Sequence, residues 1–215
     1  MKKAFVLLGL FFILAASLPS FYPAQEKQRD TKQLLEGGID LYRSGKYEEA
    51  IDFFMDVLKL SVDKNEIIRT HLYSGYTYFA MNEPDKTMGQ VEEAIKSAPD
   101  LKLNEEEFAP EFIKFFEAVK AQFVGTAFIE SIPNGAKIWL DKREVGYTPL
   151  KIQLLAQKYN LRIVKGGYSP YEENIEMRND AIVPFRIDLN KKKNWKSFAL
   201  SSLIMTVMTV LVKSL

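Results

Sequence analysis

Ser131-Ile132-Pro133-Asn134-Gly135-Ala136-Lys137-Ile138-Trp139-Leu140-Asp141 is followed by Val145-Gly146-Tyr147-Thr148-Pro149-Leu150 and then by Lys165-Gly166-Gly167-Tyr168. Ala136, Ile138 and Leu140 alternate with Lys137, Trp139 and Asp141, the two-residue period of a strand with one wet face. Pro-Asn-Gly ahead of it is turn chemistry: proline presets φ and glycine accepts a positive one. Similar short alternating runs fill residues 125–190, and a strand-rich domain is expected there. Ala127, Ile129, Ile138 and Leu140 are assigned to its core, which turns Phe128 and Trp139 outward. An outward aromatic pair can stack on a sugar ring or anchor a partner. Tyr147, Tyr159 and Tyr171 are weaker candidates of the same kind, and Tyr168 is expected to be structural.

The order of these pieces resembles the PEGA domain, a small β-sandwich named for a Pro-Glu-Gly-Ala turn that stands here as Pro133-Asn134-Gly135-Ala136, with Asn134 in place of the glutamate. The resemblance includes the Gly146-Tyr147-Thr148-Pro149-Leu150 and Gly167-Tyr168 anchors. It implies a sandwich over residues 125–190 and an accessory role outside the cytoplasm.

Upstream, helical periodicity replaces alternation. Leu34, Leu35, Ile39 and Leu41 recur at helical spacing, Asp30 and Gln33 have the form of a capping box, and Ser44-Gly45 stops the helix. A second helix from Tyr47 to Leu60 has Ala50, Phe54, Val57 and Leu58 on its buried face. The pair then recurs: Gly38 and Gly75 stand 37 residues apart. The series Gly38, Leu41, Gly45, Tyr47, Ala50 and Phe54, followed by Gly75, Tyr78, Pro84, Val91 and Ala94, resembles the tetratricopeptide repeat. In that family glycine and alanine sit where two helices cross closely. Thr87 and His71 depart from the pattern. Phe112, Ile113, Phe116, Val119 and Phe123 mark a further helix, expected to act as a lid on the stack, so that residues 30–123 form a helical domain. The resemblance implies a partner-binding groove lined by Leu35, Ile39, Tyr42, Arg43, Arg69, Leu72, Tyr76 and Phe79. Aromatic and arginine residues of this kind are enriched in interface hot spots. Filling of that groove by the lid helix or by the sandwich is the competing expectation.

The ends of the chain have a different character. Met1-Lys2-Lys3 and the apolar run that follows read as a signal peptide or signal anchor over residues 1–24, with a polar linker at 25–29. Residues 198–215 read as an apolar membrane or partner helix on which Ala199, Ser202, Thr206 and Thr209 form a small-residue stripe. A basic linker, residues 191–197, precedes it, and Lys191, Lys192, Lys193, Trp195 and Lys196 are candidates to meet lipid headgroups. With the body exported, that cluster lies on the outer side, against the positive-inside tendency.

Composition narrows the function. The 215 residues include no cysteine and one histidine, His71, so thiolate nucleophiles, disulfides and cysteine-ligated metals are excluded. A formal net charge of +1 gives no global attraction to nucleic acid. The pairs Glu92-Glu93 and Glu172-Glu173 and the run at 105–107 read as solvated faces, and no nucleophile-elbow, zinc-protease or phosphate-loop motif occurs. The expected protein is an α+β multidomain chain: helical hairpins, then a sandwich, then an apolar helix. It is expected to be non-catalytic, without cofactor or metal, exported to the bacterial cell envelope with a periplasmic body, and membrane-associated. Protein partners within a multi-subunit complex are the first expectation for its ligand. A cell-wall glycan held by the sandwich surface is the alternative.

Overall fold

Five helices precede seven strands in the computed structural model, which describes residues 22–192. The chain divides into two compact units after Lys120. Most of the signal segment, the C-terminal apolar helix with Ala199, Ser202, Thr206 and Thr209, and the headgroup candidates Lys193, Trp195 and Lys196 lie outside the described residues. Among the described residues no helix is long and apolar enough to cross a membrane.

Helix α1 spans Tyr22–Arg43, so residues 25–29 are helical and not the expected linker. The tract Ala24-Gln-Glu-Lys-Gln-Arg29 consists of strong helix formers, and Pro23 falls in the first turn, where a missing N–H leaves no bond unmade. Absence of an apolar period marks a helix end facing water as readily as a loop. Helix α2 is Tyr47–Leu60, α3 Lys64–Ala80, α4 Pro84–Ser97 and α5 Pro110–Lys120. Asp63 caps α3, accepting from the backbone of Asn65 at 2.8 Å and Glu66 at 2.9 Å.

The two hairpins α1–α2 and α3–α4 repeat in detail. After α1, Lys46 N donates to Leu41 O and Gly45 N to Tyr42 O, with Gly45 at φ +75°. After α3, Glu83 N donates to Tyr78 O and Asn82 N to Phe79 O, with Asn82 at φ 59°. Both ends are Schellman motifs, which require a left-handed residue after the helix, and Asn82 fills the position glycine holds in the first copy. Gly38 faces the buried ring of Phe54, and Gly75 faces Val91 in the same way. Thr87, the departure from the small-residue pattern, is buried and returns its hydroxyl to Glu83 O at 2.9 Å. His71 pairs its Nδ1 with Gln90 Oε1 at 2.8 Å, a link between α3 and α4.

In the second unit, β1 (Val124–Ile132) lies between β4 (Leu150–Leu155) and β7 (Ile182–Asp188), antiparallel to the first and parallel to the second. The other sheet has the order β3 (Arg143–Tyr147), β2 (Lys137–Leu140), β5 (Lys158–Val164), β6 (Tyr171–Glu176). Ala127 and Ile129 from the first sheet and Ile138, Leu140, Leu161 and Ile163 from the second share one buried core, so the sheets form a sandwich.

The turn motifs are what join its pieces. Thr148 N donates to Ala136 O and Gly135 N to Thr148 O, each at 2.8 Å. The Thr148 hydroxyl accepts from Ala136 N at 3.0 Å and lies 2.6 Å from the Ser131 hydroxyl, with both side chains buried. The Pro133–Ala136 turn and the Thr148-Pro149 turn therefore clasp each other, which accounts for their reappearance in a fixed order. The third anchor holds the chain end: Lys192 N donates to Gly167 O and Lys191 bridges to Tyr168. Lys191 and Lys192 thus continue the sandwich, and the expected basic linker does not begin at 191.

Candidate functional site

The eight groove residues separate into three groups. Leu35, Ile39 and Leu72 are buried between the helices. Tyr76 and Phe79 lie under the segment that follows α4, and Tyr42 lies beside Tyr76. Tyr42 stacks on Tyr76 at 4.9 Å, Tyr76 on Phe108 at 5.2 Å and Phe112 at 4.7 Å, and Phe79 on Phe112 at 5.5 Å and Phe115 at 5.8 Å. The backbone N–H of Ala109 donates to the Tyr76 hydroxyl at 3.0 Å. Burial, then the neighbouring Tyr76, raises the pKa of Tyr42 well above the usual phenol range.

Arg69 lies at the margin, 2.5 Å from Glu36 and 3.7 Å from Glu107. Glu107 also accepts from the Tyr73 hydroxyl at 2.5 Å, and burial together with that bond pushes Tyr73 up to about 12. Arg43 is separate and exposed, paired with Asp40 at 3.3 Å. Lys120, at the end of α5, is buried over the Phe116 ring and donates to Leu101 O at 2.6 Å; burial lowers its pKa. Phe108, Ala109, Phe112 and Phe115 of the chain thus pack on Tyr76 and Phe79, one part of the surface expected to hold a peptide.

The sandwich presents a different surface. Phe128 lies on β1 in the three-stranded sheet and Trp139 on β2 in the four-stranded sheet, so the two outward aromatics belong to opposite faces and form no common platform. Strand register surrounds Trp139 with other side chains. Lys137 stands opposite Tyr147 on β3 and Val164 on β5; Trp139 stands opposite Glu144 and Arg162.

A bulge between Ile138 and Trp139 in the β2–β3 pairing sets this arrangement. It leaves Val145 as the extra residue, turned toward the core, and brings Glu144 to the outer face. There Glu144 pairs with Lys137 at 3.0 Å, a bond that raises the lysine pKa. The Lys137 ammonium lies 6.0 Å from the Trp139 ring and 5.8 Å from the Tyr147 ring, within reach of both faces. At the end of β2, Asp141 and Lys142 both have positive φ, as a two-residue hairpin turn demands, and Asp141 accepts from Asn160 N at 2.8 Å.

The result is an open hollow of about 550 Å³ on the outer face of the four-stranded sheet, walled by Trp139 and Tyr147 and edged by Lys137, Arg162 and Lys165. Tyr147 is 55% exposed. Trp139 is legible as an outward residue from alternation alone. Arg162 and Lys165 are not, because their nearness to it depends on the β2–β5 register, which no local pattern encodes. Among the described residues no group of three or more acidic or histidine side chains could hold a metal ion.

No curated protein matches the chain. Its second unit does have a family likeness, and PEGA domains are typically found in exported or periplasmic proteins, consistent with an envelope location here. Residues 124–193, a stretch that contains the strands of the sandwich and the Trp139 hollow, match the PEGA domain family.

Proposed function

We propose that this chain is a non-catalytic binding subunit of the cell envelope, and that the outer face of its four-stranded sheet holds the ligand. The observation that carries the reading is the open hollow beside Trp139, where two aromatic rings and three cations converge on one exposed sheet face. Its volume lies within the roughly 300–1,000 Å³ of small-ligand sites. In this reading the helical hairpins, which resemble tetratricopeptide repeats, do not hold the ligand. Their concave face is stacked against Phe108 and Phe112, leaving little of the expected peptide groove open. Of the two ligand classes expected from the sequence, an envelope glycan therefore has the better surface. A protein partner retains the exposed rim around Arg43.

Retention of the full chain on washed envelope material tests this. The double substitution Trp139→Ala with Tyr147→Ala is expected to lower retention about tenfold, as loss of two aromatic contacts implies. Arg43→Ala is expected to leave it unchanged. Retention that survives the double substitution, or that falls with Arg43→Ala alone, removes the sheet face from consideration.

A further inference from the structure

Resting on that reading of the sheet face, we infer that the hollow takes an acidic polysaccharide, one sugar ring lying on the Trp139 indole with its carboxylate held between Arg162 and Lys165. Charge is the first argument. Lys137 is committed to Glu144 at 3.0 Å. Lys165 donates to the Gly135 carbonyl at 3.2 Å, and Arg162 makes no ion pair among the described residues. Glu172 stands opposite Arg162 across the β5–β6 pairing without closing on it. Two cations without a carboxylate partner thus border the aromatic wall. An arginine fork suits a planar carboxylate, which it can hold through two parallel N–H bonds.

Shape is the second argument. Gly135 and Gly166 line the hollow with bare backbone, and apart from the neighbouring residues of the chain nothing lies within 4 Å of where a Cβ on Gly166 would stand. A ring resting on the indole therefore meets at that end only the Lys165 side chain, whose ammonium lies over Gly135. Polarity is the third. Beyond Trp139, Tyr147 and Val164 the lining is charged or glycine. A protein interface has an apolar centre depleted in lysine, whereas a sugar offers C–H edges to the ring and leaves its hydroxyls in water.

The test uses the full chain with three probes: polygalacturonate, neutral dextran, and anionic phosphatidylglycerol vesicles. Polygalacturonate is expected to bind, and Trp139→Ala and Arg162→Glu are each expected to weaken it about tenfold with the thermal unfolding midpoint unchanged. Binding is expected to fade toward about 1 M salt, where the screening length is roughly 3 Å. Equal affinity for dextran overturns the acidic requirement and leaves the sheet face standing. Vesicle binding that responds to Arg162→Glu assigns the cations to a lipid surface and overturns the glycan. If polygalacturonate does not bind while retention on envelope material still depends on Trp139, the ligand class is wrong and the face is right. If neither depends on Trp139, both fall.

Discussion

Thr148 shows how a surface motif can act as an internal joint. Its hydroxyl accepts from Ala136 N and meets Ser131, while its backbone exchanges bonds with Gly135 and Ala136. Thr148→Val keeps the shape and removes the acceptor, leaving the Ala136 N–H short of its side-chain partner in a buried place, while the Ser131 hydroxyl keeps its bond to Pro133 O at 2.8 Å. A loss of about 1–3 kcal/mol in the chemical unfolding of the full chain is the expected result, since an unmade buried bond costs that much. Thr148→Ser, which keeps the hydroxyl, should recover most of it. If the valine variant is as stable as the parent, the clasp contributes nothing. On the outer face the comparable joint is Glu144, which the bulge delivers to Lys137 and which orients that ammonium between two rings.

At the scale of elements, two glycines in helices make opposite predictions. A Cβ on Gly38 would lie 2.5 Å from the Phe54 ring, and Phe54 is fully buried, so the ring has nowhere to go. A Cβ on Gly89 would meet nothing within 4 Å. Alanine is the better helix former by about 1 kcal/mol, which should appear as a gain at Gly89→Ala. At Gly38→Ala overpacking of about 1–3 kcal/mol should exceed that gain and destabilise the helical unit. Calorimetry of the two variants checks both signs; a stabilised Gly38→Ala would mean the α1–α2 crossing is looser than described.

These glycines also mark what sequence could reveal. Helix periods, the Ser44-Gly45 stop and the Gly38 to Gly75 spacing are local or repeated features, and each has its counterpart in the Schellman ends and helix crossings. The alternation through Ala136 to Leu140 likewise assigns the core face of β2. Phe108 and Phe112 pack on Tyr76 of the expected groove. A stripe of phenylalanines shows that a face is buried but does not say against what. The helicity of residues 25–29 was hidden because polar helix formers have no apolar period. Arg162 joins Trp139 only through long-range strand pairing, and Phe128 is separated from it for the same reason.

For the whole molecule, the helical unit packs Tyr76 and Phe79 against Phe108, Phe112 and Phe115, and the sandwich leaves Tyr147 and Arg162 exposed. The net charge of +1 carries no long-range attraction, so in the proposed reading recognition comes from the local grouping of Trp139, Arg162 and Lys165. The most direct measurement is photo-crosslinking in cells from a reactive residue placed at Tyr147, compared with one at Phe79. The account predicts that Tyr147 attaches to envelope glycan and that Phe79 yields only bonds within the chain. Capture of a partner from Phe79, with none from Tyr147, would contradict it and return the function to the helical groove.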